Sequence, residues 1–348
     1  MQTDMLILLF CSSSEPRRIK AVFNVLIGKR TVSNLFWGFN YGLLDYLDSF
    51  HGLSLDDLNK SINDLKQRGL IIEPENNFIQ LTELGDQARD DLLQTVGQVD
   101  ILKTAGQYDV ELFKKRIILA TQVVSEYSYQ NNRYYPQSID MLNDSLVKLW
   151  FIKNKATDLI ELMRDGWIKV LSTMSKELAD FYAQTLIGHE RFGQTPKQIA
   201  NKVSMSESEV RLWLYMGDCL AVKGFIDLKN SSMDLLFRGV KRDRISHSAL
   251  VTWDMFSRSN SSLIAIADKR RVKVTTIREH LLECAILLPD PQPLFDRVLN
   301  KSLINKLDEF APDSILEWKF DKSLSQKLQI DFFEFRMYQI MRSRENAS

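Results

Sequence analysis

Cysteine is nearly absent. Cys11, Cys219 and Cys284 lie far apart in a chain of 348 residues, and no C-x-x-C pair occurs, so neither a disulfide framework nor a zinc ribbon is indicated. Isolated thiols fit a reducing cytoplasm. Glycine and proline are sparse, at 14 and 8, which argues for helix rather than a strand-and-turn fold. Long apolar runs are missing too. Met5 to Cys11 is apolar but short, with Asp4 ahead of it and no Lys or Arg. Such a run neither spans a bilayer nor matches a secretory signal. It reads as a buried first helix, with no membrane contact.

Catalytic signatures are also lacking. Gly28-Lys29 has Phe23 where a phosphate-binding loop needs its first glycine and Arg30 where it needs Ser or Thr, so there is no P-loop and no helicase motor. Neither G-x-G-x-x-G nor H-E-x-x-H occurs. His51, His189, His247 and His280 are scattered without metal-ligand spacing. His280, three residues after Ile277, reads as a helix-packing residue. Adjacent acids such as Asp90-Asp91 point to different sides of a helix. The expectation is a non-enzyme without cofactor or metal.

Net charge of one sign is the last absence, because 45 Lys and Arg balance 45 Asp and Glu. A neutral chain meets a polyanion only through segregated charge, and here it is segregated. From Asn40 to Leu112 fourteen acids face five bases, whereas from Arg238 to His280 ten bases face four acids. The C-terminal half is the plausible electrostatic footprint. Phosphate would repel the N-terminal half.

The basic region holds the most informative stretch, Asn260 to Leu288, NSSLIAIADKRRVKVTTIREHLLECAILL. Ile264, Ala265, Ile266 and Ala267 make a short apolar helix. A turn follows at Arg271-Val272-Lys273. A second helix runs from Thr275 to about Ala285, with Ile277, Leu281, Cys284 and Ala285 spaced three or four apart. So short a turn makes the helices cross steeply, which is a helix-turn-helix unit whose second helix can enter a major groove. Ala267 is small enough for the backbones to approach. Lys269, Arg270, Arg271, Lys273 and Arg278 crowd the turn and second helix, against Asp268 and Glu279 alone. Thr275, Thr276 and Arg278 lie off the apolar stripe, where they can reach phosphates or base edges. These seven residues are the candidate DNA-binding set. The competing reading is a packing module with a solvated basic face.

The pattern IA-x-KR…V-x-x-TTI-x-x-HL resembles the helicase-type helix-turn-helix domain at the C-terminus of some RecQ-like helicases. It is also similar to stand-alone bacterial proteins of the YpbB-like family. LFDRVL at Leu294 to Leu299 and IDFFEFRMYQIM at Ile330 to Met341 resemble the closing helices of that domain. GKRT at Gly28 to Thr31, RIILATQVVSEYS at Arg116 to Ser128 and YYPQSIDMLNDSLVK at Tyr134 to Lys148 are similar to the YpbB-like pattern, so the resemblance covers nearly the whole chain. It implies a DNA-binding accessory acting beside a separate RecQ-type helicase that lacks the domain.

Along the chain, residues 1–95 read as a winged helix. Helices fall at Ile19 to Leu26 and Leu35 to Leu47, and a third is capped by Ser54 and stopped by Gly69. Strand-like runs at Leu70 to Ile72 and Phe78 to Leu81 flank a polar turn. Asp56, Asp57, Asp64, Glu73 and Glu75 favour protein contact or dimerisation there over DNA. Lys29-Arg30 argues otherwise, unless it neutralises a helix end. Residues 96–190 are helical: a long helix through Val110 to Tyr127, one capped by Ser138, and two around Thr157 to Leu171 and Ser175 to Gly188. Tyr127, Tyr129, Tyr134, Tyr135, Trp150, Phe151 and Trp167 read as core. Residues 191–245 form a second helix-turn-helix candidate, with Ser206 and Glu209 as a capping box. Glu207, Ser208, Arg211 and Tyr215 would be its exposed positions, and DNA contact and a structural role stand level. RGVKRDRISHSAL, from Arg238, either extends the basic surface or is solvated. Residues 246–348 are the helicase-type domain, its tail from Ser343 to Ser348 fraying.

The fold expected is thus mainly α, with helix-turn-helix and winged-helix modules joined by a helical middle region. The function expected is non-catalytic DNA binding in the cytoplasm or at the nucleoid. A sequence-specific transcription regulator and a protein-interaction scaffold stand as alternatives.

Overall fold

Short polar side chains start the helices. Ser54, Thr82, Asp109, Asp140, Ser206, Ser246 and Ser262 each accept from the amide three residues on, and a helix follows each. Such a cap satisfies an amide that the helix leaves without a partner. The structure is a computed structural model that describes residues 3–97, 99–156, 158–259 and 261–347. Thr157 and Asn260, at which an expected helix and the basic stretch begin, lie outside the described residues, as does Ser348 in the expected tail.

In chain order the elements are α1 (Thr3–Phe10), β1 (Arg17–Arg18), α2 (Ile19–Leu26), α3 (Val32–Asn40), α4 (Leu55–Gln67), β2 (Ile71–Glu75), β3 (Phe78–Leu81), α5 (Glu83–Val96), α6 (Lys103–Gln107) and α7 (Val110–Ser128). Then come α8 (Met141–Asn154), α9 (Leu159–Ser172), α10 (Lys176–Ala183), β4 (Ile187–Gly188), β5 (Arg191–Phe192), α11 (Pro196–Ala200), α12 (Glu207–Asp227) and α13 (Asp234–Phe237). The last are α14 (His247–Arg258), α15 (Leu263–Arg270), α16 (Val274–Leu287), α17 (Gln292–Val298), α18 (Lys301–Phe310), α19 (Lys322–Leu328) and α20 (Phe332–Ala347). The protein is mainly α, and no helix among the described residues is long and apolar enough to cross a membrane.

The chain divides into two units. One is Met1–Ile19 with Asp45–Arg242; the other is Lys20–Leu44 with Asp243–Ser348. This division cuts across the modules drawn along the sequence, because residues 20–44 fold with the C-terminal part rather than with the hairpin that follows them.

In the first unit α1 is buried, as its apolar run predicts, and packs on α4 and α5. Gly69, at φ +70°, ends α4. The strands β2 and β3 pair antiparallel, Ile71 opposite Leu81, with a register shift before Glu75. The sequence pattern did not reveal β1, which adds to the free edge of β3 through Arg17 and Arg18. Gly85 lets α5 start hard against this sheet, since a Cβ there would lie 2.0 Å from the Leu70 carbonyl oxygen. At the middle of the unit, α12 touches α6, α7, α9, α10 and α11. It carries the expected Ser206–Glu209 capping box. Most of its length is buried, including Leu212, Trp213, Met216, Cys219 and Phe225. The second helix of the upstream helix-turn-helix candidate is therefore a core element, and its Arg211 pairs with Glu207. Two other expectations change. Asp140 rather than Ser138 caps α8. Trp150 and Trp167 are core, but Tyr127, Tyr129 and Tyr135 are exposed.

In the second unit α16 is the axis. Leu281 through Leu287, seven consecutive residues, are all buried. A helix buried on every side must be covered on every side, and α14, α15, α3, α20 and α17 do so. One of the seven is Glu283. Its carboxylate accepts from the Ser246 amide at 2.7 Å and the Ser246 hydroxyl at 3.0 Å, and pairs with Arg30 at 3.4 Å. Arg30 also donates to the Arg244 and Asp243 carbonyls at 2.8 and 3.1 Å. A buried charge without a partner is strongly destabilising. Arg30→Ala is therefore expected to lower the stability of this unit by about 2–3 kcal/mol, read as a shift in its urea unfolding midpoint. An unshifted midpoint would show that Glu283 needs no cation.

Candidate nucleic-acid interface

The basic stretch folds as two helices joined at Arg271, which sits in the left-handed region at φ 55° and ψ 43° and closes α15 by donating its amide back to Ala267 and Asp268. Ile277, Leu281, Cys284 and Ala285 are all fully buried, as their spacing requires. Ala267 is buried too, at the approach of α15 to α16. The first helix departs from expectation. Only Ile266 and Ala267 are buried in it, whereas Ile264 and Ala265 face outward. The second helix starts one residue earlier and runs two further than its apolar pattern suggests, over Val274–Leu287.

The seven candidate residues separate into two groups. Arg270 is turned inward. Its guanidinium donates to the Ser248 carbonyl and the Ser248 hydroxyl, each at 2.8 Å, to His280 Nδ1 at 3.1 Å, and to the Thr252 hydroxyl. It ties α15 to both α14 and α16. Burial, and then the positive Arg270, hold the His280 imidazole below its usual pKa. Arg278 is also engaged. It pairs with Asp331 at 2.8 Å and lies 5.6 Å from the centre of the Phe333 ring. Thr276 is half-buried.

Lys269, Arg271, Lys273 and Thr275 form the other group. All four are exposed, and the three cations have no acidic partner among the described residues. They sit at the turn and at the first turn of α16. That helix start is unlike those of α14 and α15, because Lys273 occupies the capping position and supplies no side-chain acceptor. No acid lies in its first turn either. The Thr276 amide donates to the Lys273 carbonyl at 3.0 Å, but no side chain or acid of the helix offsets the partial positive charge of this end, an arrangement suited to a phosphate oxygen. The signal was in the sequence, since Ser, Thr, Asp or Asn normally stands there.

The wider basic run contributes less than its count implies. Arg242 is tied to Asp48 at 3.0 Å and lies 3.8 Å from Asp109, within the first unit. Arg258 pairs with Asp254 at 2.7 Å. Arg30, of the Lys29-Arg30 pair, is committed to Glu283.

Residues 248–339 match the family described as Helix-turn-helix domain. They span α14 through most of α20, so the domain includes the three-helix unit and its closing helices. The chain as a whole is similar to Protein YpbB of Bacillus subtilis (strain 168), with 22% identity over 285 residues, covering 80% of each chain. No solved structure matches it.

The inward position of Arg270 has a measurable consequence. Arg270→Ala is expected to cost about 2 kcal/mol of stability in this unit. The same substitution should leave the salt dependence of any nucleic-acid binding unchanged. A flattened salt dependence at intact stability would return Arg270 to the contact surface.

Proposed function

We propose that the protein binds DNA and catalyses no reaction on it. The contact is made by Lys269, Arg271, Lys273 and Thr275 around the start of α16. The observation that carries this reading is the uncapped helix start flanked by three unpaired cations. Arg270, Arg278 and Thr276 support that surface from behind. The similarity to YpbB, together with the resemblance of the C-terminal motifs to the helicase-type domain, favours an accessory role beside a separate RecQ-type helicase. Such a protein works at the nucleoid, in the cytoplasm. A preference for forked or junction DNA over any palindromic consensus in random-sequence selection separates this role from that of an operator-reading regulator.

Three phosphate contacts give a log–log salt slope of about −3 on duplex DNA. Replacing Lys269 and Lys273 by Ala in the full chain is expected to flatten it by about 2. A slope that does not move removes this surface from the interface. Binding too weak to titrate even at low salt leaves the protein-interaction scaffold standing instead.

Arg271 allows the charge to be separated from the fold. A non-glycine residue in the left-handed region costs about 1 kcal/mol or more. Arg271→Gly is therefore expected to raise the thermal midpoint while flattening the salt slope by about 1. A lower midpoint with an unaltered slope would mean that the Arg271 side chain holds the turn rather than DNA.

A further inference from the structure

One helix of the first unit is built with two unlike faces. The back of α8 is anchored: Asn143, Val147, Trp150 and Asn154 are buried. The Trp150 indole donates to the Ser232 carbonyl at 2.8 Å, and the Asn143 side-chain oxygen accepts from the buried Arg116 at 2.7 Å. Arg116 continues to the carbonyls of Leu236 and Arg238. The helix is thereby fixed against α7 and α13.

Its front is apolar and uncovered. Met141 is 86% exposed, Leu142 69%, Leu149 50% and Ile152 51%. Apolar residues exposed singly are ordinary, but a contiguous strip marks an interaction surface. Leu142, Ser145, Leu149 and Ile152 follow the three-four-three spacing of a coiled-coil seam. Ser145 does not interrupt it, because its hydroxyl is turned onto its own helix at the Met141 carbonyl, 2.7 Å away. Lys148 and Lys153 flank the seam, both exposed and both without an acidic partner among the described residues. The nearby acids are occupied. Asp144 accepts from the Ile139 amide at 2.8 Å and from the Ser138 hydroxyl, and Asp140 caps the helix. The rim of the seam is therefore positive.

We propose that the exposed face of α8 is a docking strip for a partner's α-helix whose apolar seam is flanked by carboxylates. Flanking charges choose the partner of a helix seam, and two lysines select glutamate or aspartate. A second copy of this chain is the wrong occupant. Pairing α8 with itself brings Lys148 and Lys153 against lysines in either orientation. Nucleic acid fits poorly too, since the seam is aliphatic and offers no ring for a base to stack on. The 14 residues of α8 span about 21 Å, room for two heptads of a partner.

The test uses the full chain and fluorescently labelled probes. One is a two-heptad peptide with a Leu/Ile seam and Glu flanks, another is the same seam with Lys flanks, and the third is oligothymidylate. Expected is binding of the Glu-flanked peptide ~10-fold or more tighter than the Lys-flanked one. Leu149→Asp should weaken it by a similar factor, and the double change Lys148→Glu with Lys153→Glu should invert the preference. Both variants alter exposed side chains, and circular dichroism with urea unfolding verifies that the fold is kept. The idea fails if neither peptide binds, or if both bind alike whatever the flanking charge. It fails equally if oligothymidylate is the probe that Leu149→Asp releases, or if sedimentation finds a dimer that this substitution dissolves. None of these readouts involves Lys269, Arg271 or Lys273, so the outcome is independent of the DNA surface.

Discussion

A carboxylate sits inside a run of seven consecutive buried residues in α16, and the arrangement around it follows from that constraint. The second half of α16 is buried on all sides, so helices must surround it. Glu283 adds an electrostatic demand, because a carboxylate removed from water needs donors and a counter-charge. Ser246 supplies the donors while also capping α14. Arg30 supplies the charge while also donating to the carbonyl oxygens of Asp243 and Arg244. One buried group thus fixes the start of α14, the course of the chain entering it, and the loop between α2 and α3.

The same economy explains why a crowded basic stretch leaves only part of its charge outside. Arg270 and Arg278 frame α16 from two sides, one reaching to α14 and the other to Asp331. Arginine suits this work, since its planar fork satisfies several acceptors at once. Each lysine of the stretch, having a compact head and a flexible stem, is left in solvent. Arg271 is the exception, an arginine left exposed beside the two lysines at the start of α16.

Local signals were legible in the sequence, and distant ones were not. Ile277, Leu281, Cys284 and Ala285 announced the buried face of α16 because helical periodicity is a property of neighbours. Ser54, Ser206 and Gly69 announced helix ends for the same reason. By contrast, Arg270 and Arg278 looked like contact residues because their partners, Ser248 and Asp331, are remote in sequence. The three tyrosines at 127, 129 and 135 looked like core because an aromatic carries no mark of the direction it faces. The placement of α2 and α3 was hidden most deeply. Their sequence neighbours form a plausible module with the hairpin at 71–81, and nothing nearby betrays the carboxylate at 283. In the candidate interface, the uncapped start of α16 was readable from Lys273 alone.

The distance from Arg30 to Glu283 is 253 positions along the chain, and this affects how the protein is made. At ribosomal speeds of about 5–20 residues per second, the helical pair at 20–44 leaves the tunnel roughly 10–50 s before its docking helix exists. During that interval α3, whose Leu35 and Phe36 are buried at the end, lacks the face of α16 on which it packs. The emerging chain must therefore be shielded, by its own transient collapse or by a chaperone, until the last third of the message has been translated.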